Sequence, residues 1–216
     1  MTLQPLTWSE PRATGWATIT ADEGDAHWRI TPVPRDVTRI SYTGTDADGT
    51  LVDSMEHIAY AETKDEALIV IDILRAGTDH LPGWRDQLEA AGFTRTYPEA
   101  PEGDGLSQLW HDDRESGLFQ ITVHDGSAPR NASDDEISVH ATYESEGATF
   151  WHNVVGMNMC HIRGRRTFGD VTMRDGLPEG VDPLKAGVAA AIAIRAARTE
   201  RGGRFATPLG GATKNR

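Results

Sequence analysis

TKDEALIVIDILRAG, residues 63–77, is the stretch in which apolar pattern, start signal and stop signal agree. Thr63 followed three residues later by Glu66 is a capping box: the Thr hydroxyl accepts from the Glu66 amide, and the Glu carboxylate accepts from the Thr63 amide. From Ala67 to Leu74 only Asp72 is polar, so the segment is apolar nearly all round and belongs in an interior. Gly77 supplies the stop, and Arg75 stands where the helix dipole favours a cation. LIVIDIL also fits a buried strand, because four of its seven residues are β-branched. The two caps favour the helix.

On the N-terminal side of this helix the sequence reads as short strands. WATITA (16–21) alternates, and DEGD (22–25) makes a turn. HWRITPV (27–33) puts Trp28, Ile30 and Pro32 on one face, with Pro32 and Pro34 confining it to an edge or ending it. VTRISYT (37–43) sets Val37, Arg39 and Ser41 against Thr38, Ile40 and Tyr42. GTDADG (44–49) is a turn, a weaker strand follows it, and HIAYAE (57–62) feeds the helix. Residues 1–14, with Pro5 and Pro11, are an irregular arm, and 15–78 make a βββ(β)α module.

On the C-terminal side, Pro82 at a first-turn position opens a second helix, GWRDQLEAA (83–91). Gly92 ends it, and Phe93 is placed to close a Schellman turn. LSQLWHD (106–112) and LFQITVHD (118–125) form a hairpin around DRESG, with Phe119, Ile121 and Val123 on one face. In ISVHATYE (137–144), Ile137, Val139, Ala141 and Tyr143 alternate with polar partners, as in a sheet with one wet face. TFWHNVVGMNMCHI (149–162) is a strand bent at Gly156 or two strands, and RTFGDVTM (166–173) adds another. A last helix spans 183–200, with Asp182 as N-cap and an Ala-rich face aligning Val188, Ile192 and Ala196. These readings place 79–204 in an α-plus-β-meander part and 205–216 in a tail. The expected class is α+β: antiparallel β-sheet packed with about three α-helices.

Composition narrows the function classes. An apolar fraction of 38% with 25% charged residues suits a globular chain of 216 residues, and no run is long enough to span a membrane. A single cysteine, Cys160, excludes an internal disulfide and suits a reducing compartment, and the N-terminus lacks a secretion signal, so the cytoplasm is expected. The Ala, Gly, Asp and Arg usage fits a high-GC bacterium or one of its phages. The net charge of −12 is uneven, because residues 151–216 hold five acidic and eleven basic side chains. The acidic body repels phosphate backbones, while the C-terminal third attracts them or docks on its own acidic surface.

The motifs that carry chemistry are few. DADGT (46–50) is a turn rather than a calcium loop, since the spacing leaves Gly44 and Met55 at the first and twelfth ligand positions. His152, Cys160 and His161 lack the fourth ligand of a zinc site, but Cys160 with His152 as base and the nearby arginines as positive field would make a small thiol enzyme. His111, Asp112, Asp113 and Glu115 are either a divalent-ion site or a solvated hairpin tip. Arg163, Arg165 and Arg166, with Arg195, Arg198 and Arg201 on or beyond the last helix, are the candidate partner or nucleic-acid footprint. No phosphate loop and no cofactor signature is present in the sequence. The leading expectation is therefore a non-enzymatic binding or accessory protein acting through protein–protein contacts or self-association. Nucleic-acid contact through the basic third is the second, and the Cys160 enzyme the third.

Overall fold

Lys64–Ala76 form a helix capped by Thr63 and Gly77, and it organises the first half of the molecule. The structure, a computed structural model, describes residues 3–10, 17–33, 37–54, 57–96, 108–112, 119–125, 137–144, 151–158, 165–168, 171–174 and 176–200. In chain order the elements are β1 (Ile19–Glu23), β2 (Ala26–Pro32), β3 (Thr38–Thr45), β4 (Leu51–Asp53), β5 (Ala59–Ala61), α1 (Lys64–Ala76) and α2 (Trp84–Ala90). They continue with β6 (Thr94–Arg95), β7 (Gln108–Asp112), β8 (Phe119–Asp125), β9 (Ile137–Glu144), β10 (Trp151–Asn158), β11 (Arg165–Phe168), β12 (Val171–Arg174) and α3 (Pro183–Glu200). The class is α+β, with three helices among the described residues packed on a mostly antiparallel sheet.

Both halves of the capping box form: Thr63 Oγ1 accepts from the Glu66 amide, and Glu66 Oε2 from the Thr63 amide, each at 3.2 Å. Gly77 ends α1 at φ 68°, ψ 176°, a positive φ that favours glycine, though this is not the left-handed helical geometry of a simple stop. Ala67, Val70, Ile71 and Leu74 are buried, and Asp72 is exposed.

β1, β2 and β3 form an antiparallel set in which Trp28 pairs with Tyr42 and Ile30 with Ile40. β4 and β5 then share the opposite edge of β3, one at each end: Asp53 is opposite Thr43, and Ala59 opposite Ile40. The sheet therefore forks. β12 joins β4 in parallel and is paired with β11, whereas β10 joins β5 and leads through β9, β8 and β7 to β6. This second set, β10 to β6, is antiparallel throughout.

All three helices cover the same face. α1 packs on β2, β3 and β5, and α3 on β8, β9 and β10, with α1 and α3 in contact and α2 beside α3. That face carries Trp28, Ile30, Ile40, Ala59, Trp110, Phe119, Ile121 and Val139, each under 5% exposed, so the core lies between this side of the sheet and the helices.

Several boundaries differ from expectation. β1 runs on through Asp22 and Glu23, and the turn shrinks to Gly24–Asp25. Pro82 lies before the α2 cap, Gly83, rather than within the first turn. The Schellman closure of α2 is present: the Phe93 amide donates to Leu88 O and the Gly92 amide to Glu89 O, both at 2.9 Å. β10 is one strand through Gly156, with a register shift between Asn153 and Val155. RTFGDVTM is a hairpin, β11–β12, rather than one strand.

The buried side of α3 takes in only part of the expected stripe: Val188 is fully buried, Ile192 is half-buried against the core, and Ala196 is exposed. Ala186, Gly187, Ala190, Ala191, Ile194 and Arg198 are buried beside Val188. A helix so rich in alanine has a weak apolar direction, and its rotation is set by contacts the sequence does not display. One is the close approach of Gly187 to β9, where a Cβ would stand 2.7 Å from the Val139 Cβ. Gly187→Ala therefore sets two effects against each other. Helix propensity favours alanine by about 1 kcal/mol, but overpacking against an atom tied to the β9 backbone costs about 1–3 kcal/mol. The expected outcome is a net loss of about 1 kcal/mol, read from the urea midpoint. A midpoint that rises would show that α3 can lift from β9 freely.

Candidate interaction surface

The face of the sheet opposite the helices is built by strand alternation. Thr31, Arg39, Tyr60, His140, Thr122 and Leu109 all alternate with buried neighbours and so point away from the helices. Successive registers place them in one row: Thr31 opposite Arg39, Arg39 opposite Tyr60, Tyr60 opposite Gly156, Gly156 opposite His140, His140 opposite Thr122, and Thr122 opposite Leu109. Gly156 contributes no side chain to the row. Tyr60 crosses this gap, and its hydroxyl lies 2.8 Å from His140 Nδ1. The two rings are 6.2 Å apart at 36°, tilted rather than stacked. With the imidazole proton on Nε2, the phenol donates to Nδ1. Arg39 is exposed, and Tyr60 and His140 are half-buried. The row thus presents cationic, hydroxyl, imidazole and apolar groups in sequence. Among the described residues no helix packs on it.

Two of the candidate arginines form ion pairs on the helix side. Arg198, 8% exposed, donates from Nε to Glu66 Oε1 at 2.7 Å and from Nη2 to Glu66 Oε2 at 2.9 Å, and also pairs with Glu62. Burial pulls its pKa down, but hydrogen bonds and charge from Glu66, and then from Glu62, outweigh that and hold it above the ordinary arginine value. Arg195 pairs with Asp112, itself 2% exposed, and lies 5.6 Å over the Phe93 ring. These two arginines tie α3 to α1 and to β7. Arg165 and Arg166 lie on β11, where Arg165 is the register partner of Arg174. Arg163 and Arg201 lie outside the described residues, as do Cys160, His161, Asp113 and Glu115. His152 is on β10 opposite Tyr143. His111 points to the row side, with Nδ1 2.9 Å from the Thr96 hydroxyl, so it and Asp112 diverge. Among the described residues no three His, Cys, Asp or Glu side chains converge as metal ligands, and no helix is long and apolar enough to cross a membrane.

A cleft of about 420 Å³ opens at the C-terminal end of α1, between β1–β3 and residues 178–180. Arg75 spans its wall, donating from Nε and Nη2 to Glu23 at 2.8 and 2.6 Å. The hydrogen bond from Arg75 outweighs partial burial and holds the Glu23 carboxyl below the usual glutamate value of 4.5. The unfolded chain then binds more protons than the folded one as pH falls below about 4.5, so the stabilisation present above that value is lost in acid. The expected outcome is a falling melting temperature below that pH in the wild type, with a flatter acid limb in Glu23→Gln. Identical acid limbs would show that the pair contributes nothing.

Compared with known protein families, curated proteins and solved structures, the chain matches none of them. The residues of the row escaped sequence reading as a set. Alternation in HIAYAE and ISVHATYE puts Tyr60 and His140 on wet faces, but 80 residues separate them and nothing local says that one strand stands between.

Proposed function

We propose that this chain is a binding protein working by contact with a protein partner, and that the helix-free side of the sheet is where the partner sits. The observation that supports the reading is the unbroken register row from Thr31 to Leu109, a mixed polar and aromatic strip with no helix over it among the described residues. Tyrosine and arginine side chains, here half-buried Tyr60 and exposed Arg39, are among the groups that dominate contact energies. The test is a photo-crosslinking amino acid placed at Arg39, and in a separate chain at Glu89, which is exposed on α2. Discrete adducts from position 39 that vanish when Tyr60 is changed to alanine are expected. Adducts equal in pattern and yield from both positions would overturn the assignment. The single cysteine fits a reducing compartment, and the cytoplasm is the location we assign.

A second reading is favoured by one observation on the β11–β12 hairpin. Arg165 and Arg174 are register partners there, with Arg166 adjacent. Like charges directly opposite on a sheet are unfavourable unless an anion relieves them. A nucleic-acid backbone is the anion this reading assigns, and its affinity would fall steeply with salt. A mobility shift on mixed DNA and RNA that is absent, or indifferent to salt, would dismiss it.

A further inference from the structure

The cleft at the C-terminal end of α1 has a fixed wall. Thr78, 1% exposed, donates to Gly180 O from its hydroxyl at 3.2 Å and from its amide at 3.1 Å, and its hydroxyl accepts from the Asp182 amide at 2.6 Å. This clasp ties the chain leaving α1 to the chain entering α3, across 102 residues of sequence. Gly77 at φ 68° and Gly180 at φ 74° make the bends on either side of it, in the region that favours glycine. The space between the clasp and β1–β3 is about 420 Å³, within the range of small-molecule sites. Buried Trp28 and Tyr42 line its inner side, and exposed Asp79 and Glu179 its mouth.

The charges of the lining select the ligand. Three carboxylates, those of Glu23, Asp79 and Glu179, stand against the one guanidinium of Arg75, a balance of two negative charges with histidine counted as neutral. Arg75 cannot receive an anion: its side chain is 3% exposed, and its Nε, Nη1 and Nη2 donate to Glu23, Asp72 and the Gln4 carbonyl. Glu23, by contrast, keeps 39% of its side chain exposed. The negative end of the α1 dipole adds to the same field. A bare metal ion is poorly served, since among the described residues no three His, Cys, Asp or Glu side chains converge. We infer that the cleft binds a small organic dication, an aliphatic diamine, whose two ammonium groups answer the two uncompensated charges while its methylene chain lies on the apolar lining. The net charge of −12 draws such a ligand towards the protein. The site is separate from the helix-free face and does not depend on the role proposed for that face.

Titration calorimetry of the full chain at low salt tests the site, with 1,4-diaminobutane as the probe. The expected result is saturable one-to-one binding, about tenfold tighter than that of butylamine and weakened by sodium chloride. Magnesium chloride at matched ionic strength is expected to leave the diamine in place. The variant Asp79→Asn with Glu179→Gln removes the two carboxylates at the mouth, neither of which takes part in the clasp, and is expected to weaken binding about tenfold. A control variant, Asp65→Asn with Glu89→Gln, makes the same change in net charge at the opposite end of α1 and on α2, and is expected to bind as the wild type does. Absence of binding, equal affinity for the diamine and butylamine, or displacement by magnesium overturns the inference. Equal weakening in both variants overturns it too, by showing a diffuse counter-ion cloud in place of a site. If the first variant loses its fold, the comparison of probes on the unaltered chain decides the matter.

Discussion

Replacing Arg198 by methionine is expected to lower the unfolding free energy by about 3–5 kcal/mol, which for a chain of this size moves the melting temperature by roughly 10 °C. The size of the effect comes from what is left behind. Glu66 is 3% exposed and receives two hydrogen bonds from the guanidinium, so without Arg198 it is a buried carboxylate with no other cation paired to it among the described residues. Its remaining bond, from the Thr63 amide, is a single neutral donor. Methionine keeps most of the volume, which separates lost charge from a cavity. The companion variant, Arg198→Met with Glu66→Leu, is expected to recover part of the loss, because exchanging a buried ion pair for apolar side chains is close to neutral while Glu62 and the capping box still lose a partner. Paired thermal melts check both. If the single substitution costs under 1 kcal/mol, the ion pair is a bystander and apolar packing alone holds α3 to α1.

Trp28→Ala is the other substitution with a large expected effect, about 3–5 kcal/mol. The indole is 1% exposed, its centroid lies 4.8 Å from that of Tyr42 at an interplanar angle of 53°, and its N–H reaches Glu23 at 3.4 Å. Removing it opens a cavity under α1, uncovers Tyr42 and deprives Glu23 of one of its donors. Trp28→Phe retains the ring contact and loses only part of the volume and the N–H, so it should cost less than half as much. Urea unfolding at neutral pH is the measurement. Equal losses for the two variants would mean that the N–H bond to Glu23, rather than packing, carries the residue's contribution.

How much of this was legible in the sequence depended on the distance over which each signal acts. α1 was readable because Thr63, Glu66 and Gly77 state its limits within fifteen residues. The pairing of β7 with β8 and the Schellman closure at Phe93 were readable for the same reason. The face of α3 was legible only in part. Its orientation answers to Val139 and to Glu62 and Glu66, the latter two more than 130 residues from Arg198. The same separation hid the inward turn of Arg195 and Arg198, whose spacing on a helix looks from the sequence like a basic stripe open to phosphates. β6, two residues long, is defined only by its pairing with β7 and has no pattern of its own. The register row failed to show for a related reason: alternation tells which way a side chain points, and only topology tells beside what.

α3 follows every described strand and yet supplies the counter-ion for a carboxylate in α1 and the roof over β8, β9 and β10. During synthesis from the N-terminus, β8, β9 and β10 are therefore delivered with their apolar side uncovered, and Glu66 without Arg198, until α3 emerges. Apolar surface exposed in that interval is prone to aggregate. Truncations or stalls before residue 198 should therefore yield aggregates rather than a smaller folded protein.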